Sequence, residues 1–162
     1  MILAWDIGQN AFQSCPMTSI IIPASVLSID GSAFFGCFSL KSIFFRGNAA
    51  SVGSSVFQGV NNPIVYYLPR TNGWSTNFGG LSTSLWVPQM QNSGKSSWIQ
   101  TNQFGFNINW ASGMVVVVES RTNFANSTWS AMATNTLTAD SSYFSDPLWT
   151  NYPSRFYRLR SP

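Results

Sequence analysis

The chain has 162 residues, 44% of them hydrophobic, which supplies apolar mass for a packed core and argues against general disorder. Only 8% are charged and none is histidine, so His-based triads and His metal ligands are excluded. The basic residues behind the net charge of +3 cluster only at the tail, where Arg155, Arg158 and Arg160 alternate with Phe156, Tyr157 and Leu159 as in a strand with one wet face rather than a nucleic-acid stripe, and no apolar run approaches the roughly 20 residues of a membrane span.

At the start, Met1 to Ala4 lacks a basic segment and Trp5-Asp6 interrupts it, so it does not read as a signal peptide. The expectation is a C-terminal piece of a longer protein whose signal lies upstream. A repeat follows. AFQSC (Ala11 to Cys15) returns as AFFGC (Ala33 to Cys37) and, eroded, as VFQGV (Val56 to Val60). Ile7-Gly8, Ile29-Asp30 and Val52-Gly53 lead into the three copies. Short apolar strands follow them, at Ile20 to Pro23, Ile43 to Arg46 and Tyr66 to Pro69. A period in the low twenties means stacked solenoid turns, none able to bury its apolar side alone.

Phe12, Phe34 and Phe57 are then expected to stack as one ladder, with Ala11 and Ala33 leaving room for it. Cys15 and Cys37 are expected as small buried thiols, a disulfide between them being the alternative. Side chains alternate along a strand. If Ile20/Ile22, Ile43/Phe45 and Tyr66/Leu68 face inward, then Ile21, Phe44 and Tyr67 form an outward apolar stripe. Ser19 and Ser42 would lie beside that stripe, with Lys41 and Arg46 near its middle. Such a patch marks an interaction site unless the second half of the chain covers it.

These residues resemble the BspA-type leucine-rich repeat of bacterial surface and secreted proteins. That pattern runs roughly I-G-x-x-A-F-x-x-C-x-x-L-x-x-I-x-I-P-x-S-V-x-x-I-G. Ala11, Phe12, Cys15, Ile20, Ile22, Pro23, Ser25, Val26 and Ile29 match it, and Ala33, Phe34, Cys37, Leu40 and Ile43 match again. The third copy departs at Val56 and Val60. VYYLPRTNGWSTNFGG resembles the closing segment of such arrays, which takes the resemblance to about Trp86. The resemblance implies an adhesion or protein-binding module.

Beyond Val87 the period vanishes. NSGKSS (Asn92 to Ser97) reads as a linker, within 87–97. Phe104, Phe106, Ile108 and Trp110 alternate with polar or small residues, a half-buried strand, and Met114 to Glu119 reads as a central one. Further strands are expected around Trp129, Leu137 and Phe156 to Leu159. VVVVESRTNFANSTW, FSDPLW and RFYRL resemble a C-terminal β-module of large secreted bacterial proteins. The expected fold is mainly β: a leucine-rich-repeat solenoid at 1–86, then a small β-sandwich-like domain at 98–162.

Catalysis is not expected, since the acids are only Asp6, Asp30, Glu119, Asp140 and Asp146. Asp146, before Pro147, suits an Asx-type hydrogen bond. Asp140 and Asp146 offer too few oxygens for a hard cation, so no metal and no cofactor is expected. Asn126-Ser127-Thr128 reads as a turn rather than a glycosylation acceptor. The reading is non-catalytic binding of a protein or polysaccharide outside the cell, by a secreted or surface protein. The alternatives are a structural spacer or sorting end of a longer repeat protein, or an appendage of a secreted hydrolase.

Overall fold

A computed structural model describes residues 5–91, 99–100, 103–123, 125 and 128–162. The chain divides into two compact units, Met1–Trp86 and Val87–Pro162. In the first, each coil lays one strand into each of two parallel sheets. The strands are β1 (Trp5–Ile7), β2 (Ser19–Ile22), β3 (Val26–Ile29), β4 (Ser42–Phe45), β5 (Ser51–Val52) and β6 (Ile64–Tyr67). One sheet has the order β1-β3-β5. The other runs β2-β4-β6 and is extended by a hairpin of β7 (Asn77–Phe78) and β8 (Leu81–Leu85), with β8 parallel to β6.

The repeated word forms the turn between the sheets and pairs from coil to coil through its backbone. Phe12 donates its N–H to the Ala33 carbonyl at 2.8 Å, and Phe34 donates to Val56 at 3.0 Å. The phenyl rings follow that pairing, as expected. Phe12 and Phe34 stack at 5.2 Å and 8°, and Phe34 and Phe57 at 5.7 Å and 15°. Ala33, Phe34 and Leu40 are fully buried between them and the sheets. Both cysteines are free, so the disulfide alternative does not hold. Cys37 is buried with its Sγ donating to the Phe12 carbonyl at 2.9 Å, whereas Cys15 is only half-buried. Burial raises the Cys37 thiol above its ordinary range.

Each coil turns through a left-handed residue at one place in the word: Ser14 (φ 56°), Gly36 (φ 69°) and Gly59 (φ 77°). Glycine takes this backbone without steric cost. Gly36→Ala should therefore lower stability by about 1 kcal/mol, its Cβ also meeting the Ser14 Oγ at 3.2 Å. Gly8→Ala meets open space and should stay within about 0.5 kcal/mol of the parent, both variants being compared by urea unfolding.

The third coil departs from expectation by one residue. Ile43 pairs with Val65, Phe44 with Tyr66 and Phe45 with Tyr67. Val65 is fully buried, and Tyr67 packs on the core with its ring 4.9 Å from Trp74. Tyr67 therefore does not belong to the outward stripe; Tyr66 does. Matching Leu68-Pro69 to Ile22-Pro23 shifts the strand, and a one-residue shift exchanges the two faces.

The second unit is antiparallel. Its strands are β9 (Gln89–Gln91), β10 (Ile99–Gln100), β11 (Gln103–Asn109), β12 (Val115–Arg121), β13 (Ser130–Thr136), β14 (Ser141–Asp146) and β15 (Phe156–Arg160). β11 pairs with β14 on one side and with β9 and β10 on the other, while the second sheet has the order β13-β12-β15. Tyr157 of β15 joins the sheets, stacking on Phe104 at 4.6 Å and meeting Phe106 and Phe144 at 6.0 and 6.1 Å.

Three expectations change here. Part of the expected 87–97 linker is β9, because Gln89–Gln91 pairs with Asn107 to Asn109; 92–97 lies outside the described residues. Leu137 is not a strand centre but the buried residue just after β13, where its carbonyl accepts from Gly113 at 2.6 Å. β14 was not expected, since Ser and Asp interrupt its apolar pattern. The Asn126-Ser127 turn also lies outside the described residues.

On β12, Glu119 is buried beneath the two arginines it faces, Arg158 at 2.6 Å and Arg160 at 2.9 Å. Hydrogen bonds from Arg160 and Arg158 hold its carboxyl below the usual range. A folded-state pKa below the unfolded one gives stability that is complete above the ordinary carboxylate range. That stability is lost as pH falls through the lowered value. Glu119→Gln should accordingly flatten the acid side of a stability-against-pH curve measured in urea, and leave the alkaline side parallel to the parent.

Candidate functional site

Strand alternation places Ser19 with Ile21, Ser42 with Phe44, and Ile64 with Tyr66 on the outward face of the β2-β4-β6 sheet. The parallel register then sets Ile21, Phe44 and Tyr66 side by side. Phe44 and Tyr66 stack at 5.0 Å and 15°, a separation that adds roughly 0.5–1.5 kcal/mol beyond area burial. Trp86 closes on Phe44 at 4.8 Å and 50°, and its backbone N–H donates to the Tyr67 carbonyl at 2.7 Å. The stripe is thus one aliphatic residue and three aromatics, with Ile21 43% exposed.

The polar residues expected around it lie at the strand ends. Ser19 opens β2 and Ser42 opens β4. Lys41 is exposed just before β4, its N–H bonded to the Thr18 carbonyl at 2.8 Å and its carbonyl accepting from Ile64 at 3.1 Å. Arg46 is half-buried just past β4, where its N–H reaches the Ile22 carbonyl at 3.0 Å. Both acids of this unit belong elsewhere, Asp6 on β1 and Asp30 just after β3. The stripe therefore combines apolar rings with two cations and no carboxylate on its strands.

Sequence reasoning identified Ile21 and Phe44, misplaced Tyr67, and missed Tyr66 and Trp86; Lys41 and Arg46, expected near the middle of the stripe, lie just outside the two ends of β4. The backbone pairing of Ile43 with Val65 identifies Tyr66, and no periodic signal reaches Trp86. Among the described residues no group of three or more His, Cys, Asp and Glu is placed to hold a metal ion. Among them, too, no helix is long and apolar enough to cross a membrane.

Residues 5–72 match the family described as BspA type leucine rich repeat region (6 copies). No curated protein and no solved structure matches the chain.

Proposed function

We propose that this chain, whose residues 5–72 are a BspA type leucine-rich repeat region, is a non-catalytic binding module of a secreted or surface-displayed bacterial protein. Repeats of this kind are interaction modules, and an extended apolar row on one sheet face suits a partner's surface better than a small substrate. The partner would be a protein or polysaccharide outside the cell. Its contact surface would be Ile21, Phe44, Tyr66 and Trp86, rimmed by Ser19, Ser42, Lys41 and Arg46. The remainder, from Val87, is read as a sandwich-like module.

The observation that carries this is the stack of Phe44 on Tyr66 with Trp86 closing it. Aromatic rings in a row on an outward face are the usual anchors of a binding hot spot. The test is surface plasmon resonance of the purified chain over a panel of matrix proteins and polysaccharides. A Phe44→Ser, Tyr66→Ser double variant should lose about tenfold or more in affinity while keeping the parent's circular dichroism spectrum at the assay temperature, its melting point falling only by what the lost stack contributes. Binding by the double variant equal to the parent's would remove the stripe from the contact. Tyr67→Ser should instead act through stability, because that ring packs on Trp74.

A further inference from the structure

The backbone bonds that join one coil to the next follow a fixed scheme, and the third coil is left with its share of it unpaired. At the word, alternate N–H groups donate to the following coil. Asn10, Phe12 and Ser14 donate to the Gly31, Ala33 and Phe35 carbonyls at 3.3, 2.8 and 2.8 Å. Ser32, Phe34 and Gly36 donate to Ser54, Val56 and Gln58 at 3.0, 3.0 and 2.9 Å. The equivalent donors of the third coil are Ser55, Phe57 and Gly59, and among the described residues nothing accepts from them. In the strand before the word the direction reverses. The Ile7 carbonyl accepts from Asp30 and the Ile29 carbonyl from Gly53, both at 2.8 Å. Their equivalent, the Val52 carbonyl, lies on β5, the edge strand of its sheet.

An edge that presents backbone acceptors and donors in a row is a template for another stretch of backbone. Here the edge opens into a cleft of about 580 Å³, which has the third word as one wall. Gly79 and Gly80, the turn of the β7–β8 hairpin, form the other. Phe57 is only 7% exposed, and buried backbone donors are seldom left without a partner. Among the described residues no charged side chain lines the cleft.

The chain closes the phenyl ladder itself. Phe78 lies 6.2 Å from Phe57 at 52°, where a fourth rung would stand. Gly79 sits so near that a Cβ on it would come within 2.9 Å of the Phe57 ring. β8 likewise holds the place beside β6 that a fourth coil's strand would take. A whole further coil, or a second copy stacked on this end, therefore has no seat. A single extended segment does, provided its side chains toward the array are small. Three donors on alternate residues match carbonyls on alternate residues of a polypeptide, as both coil junctions show.

We propose that this cleft takes an extended segment of a partner protein, small side chains inward, held by main-chain hydrogen bonds from Ser55, Phe57 and Gly59. The site is separate from the Phe44 stripe and does not depend on it.

Nitrogen-15 spectra of the full chain test this with the blocked peptide acetyl-IDGSAASGA-amide, the segment Ile29 to Cys37 with both phenyls and the thiol removed. The peptide should shift the amide signals of Ser55, Phe57 and Gly59 saturably and slow their hydrogen exchange by about tenfold or more. Phe12 and Phe34, whose N–H groups are already paired, should not move. Raising the salt from about 0.05 M to about 0.5 M should leave the affinity within about twofold, because no charge lines the cleft. The phenyl-bearing counterpart acetyl-IDGSAFFGA-amide should bind about tenfold more weakly, since Phe78 holds the ring's seat. No saturable shift at the three amides, the same shifts from sodium acetate at equal concentration, or equally tight binding of the phenyl-bearing peptide would each overturn the assignment. So would protection of those amides in the chain alone that grows with its concentration, which would make the occupant a second copy.

Discussion

Phe34→Ala should lower the unfolding free energy by about 3–5 kcal/mol, the range for removing a fully buried aromatic side chain. Phe34 is the middle rung of the ladder, with no exposed surface and a stacked ring on either side. The cost combines lost transfer energy, the cavity left behind, and two ring contacts worth about 0.5–1.5 kcal/mol each. A solenoid is held together by contacts between neighbouring coils, so a gap in the middle coil weakens both of its interfaces. Phe12 is only partly buried and stacks on one side alone. Phe12→Ala should therefore cost clearly less. Urea unfolding of the two variants decides it, and equal losses would show that the ladder does not couple the coils.

Asp146→Ala should cost the C-terminal unit about 3–5 kcal/mol, because removing one partner of a buried pair leaves the other charge uncompensated. Three groups lose their acceptor together: Leu148 N–H, Tyr157 hydroxyl and Arg155. Arg155 retains only 14% of its side-chain exposure, so water replaces little of what it loses. Tyr157→Phe removes one neutral donor and should cost about 1–2 kcal/mol. Burial, reinforced by the hydrogen bond to Asp146, already pushes the Tyr157 hydroxyl well above the ordinary phenol range, which keeps it a donor. Amide exchange at β14 and β15 should show the ordering Asp146→Ala, then Tyr157→Phe, then parent. If Asp146→Ala proved no worse than Tyr157→Phe, the ion pair with Arg155 would carry no stability.

The stripe and the two buried acids differ in how far they could be read in the chain. Ile21 and Phe44 follow from alternation within short strands next to an intact repeat. Tyr67 failed because the third copy had lost its marker residues Ala and Cys, leaving Leu68-Pro69 as a false guide to register. Asp146 was legible as the start of an Asx turn, and Leu148 two residues on confirms that local bond. Its other two partners lie nine and eleven residues away on and before β15, across a turn whose path the sequence does not state. Glu119 and its arginines are farther apart still, joined only because β12 and β15 pair.

What the sequence determined by itself is everything that repeats or is local. It set the coil period, the phenyl ladder, the mainly β class and the absence of histidine from any chemistry of this chain. These follow from spacing and side-chain type, which act within one coil and are copied into the next. The tertiary structure decided the rest. Backbone hydrogen bonds between coils chose which tyrosine faces outward, and pairing of β12 with β15 set Arg158 and Arg160 over the buried Glu119. Such choices depend on contacts between residues far apart in the chain, whose energies are set by which strands become neighbours.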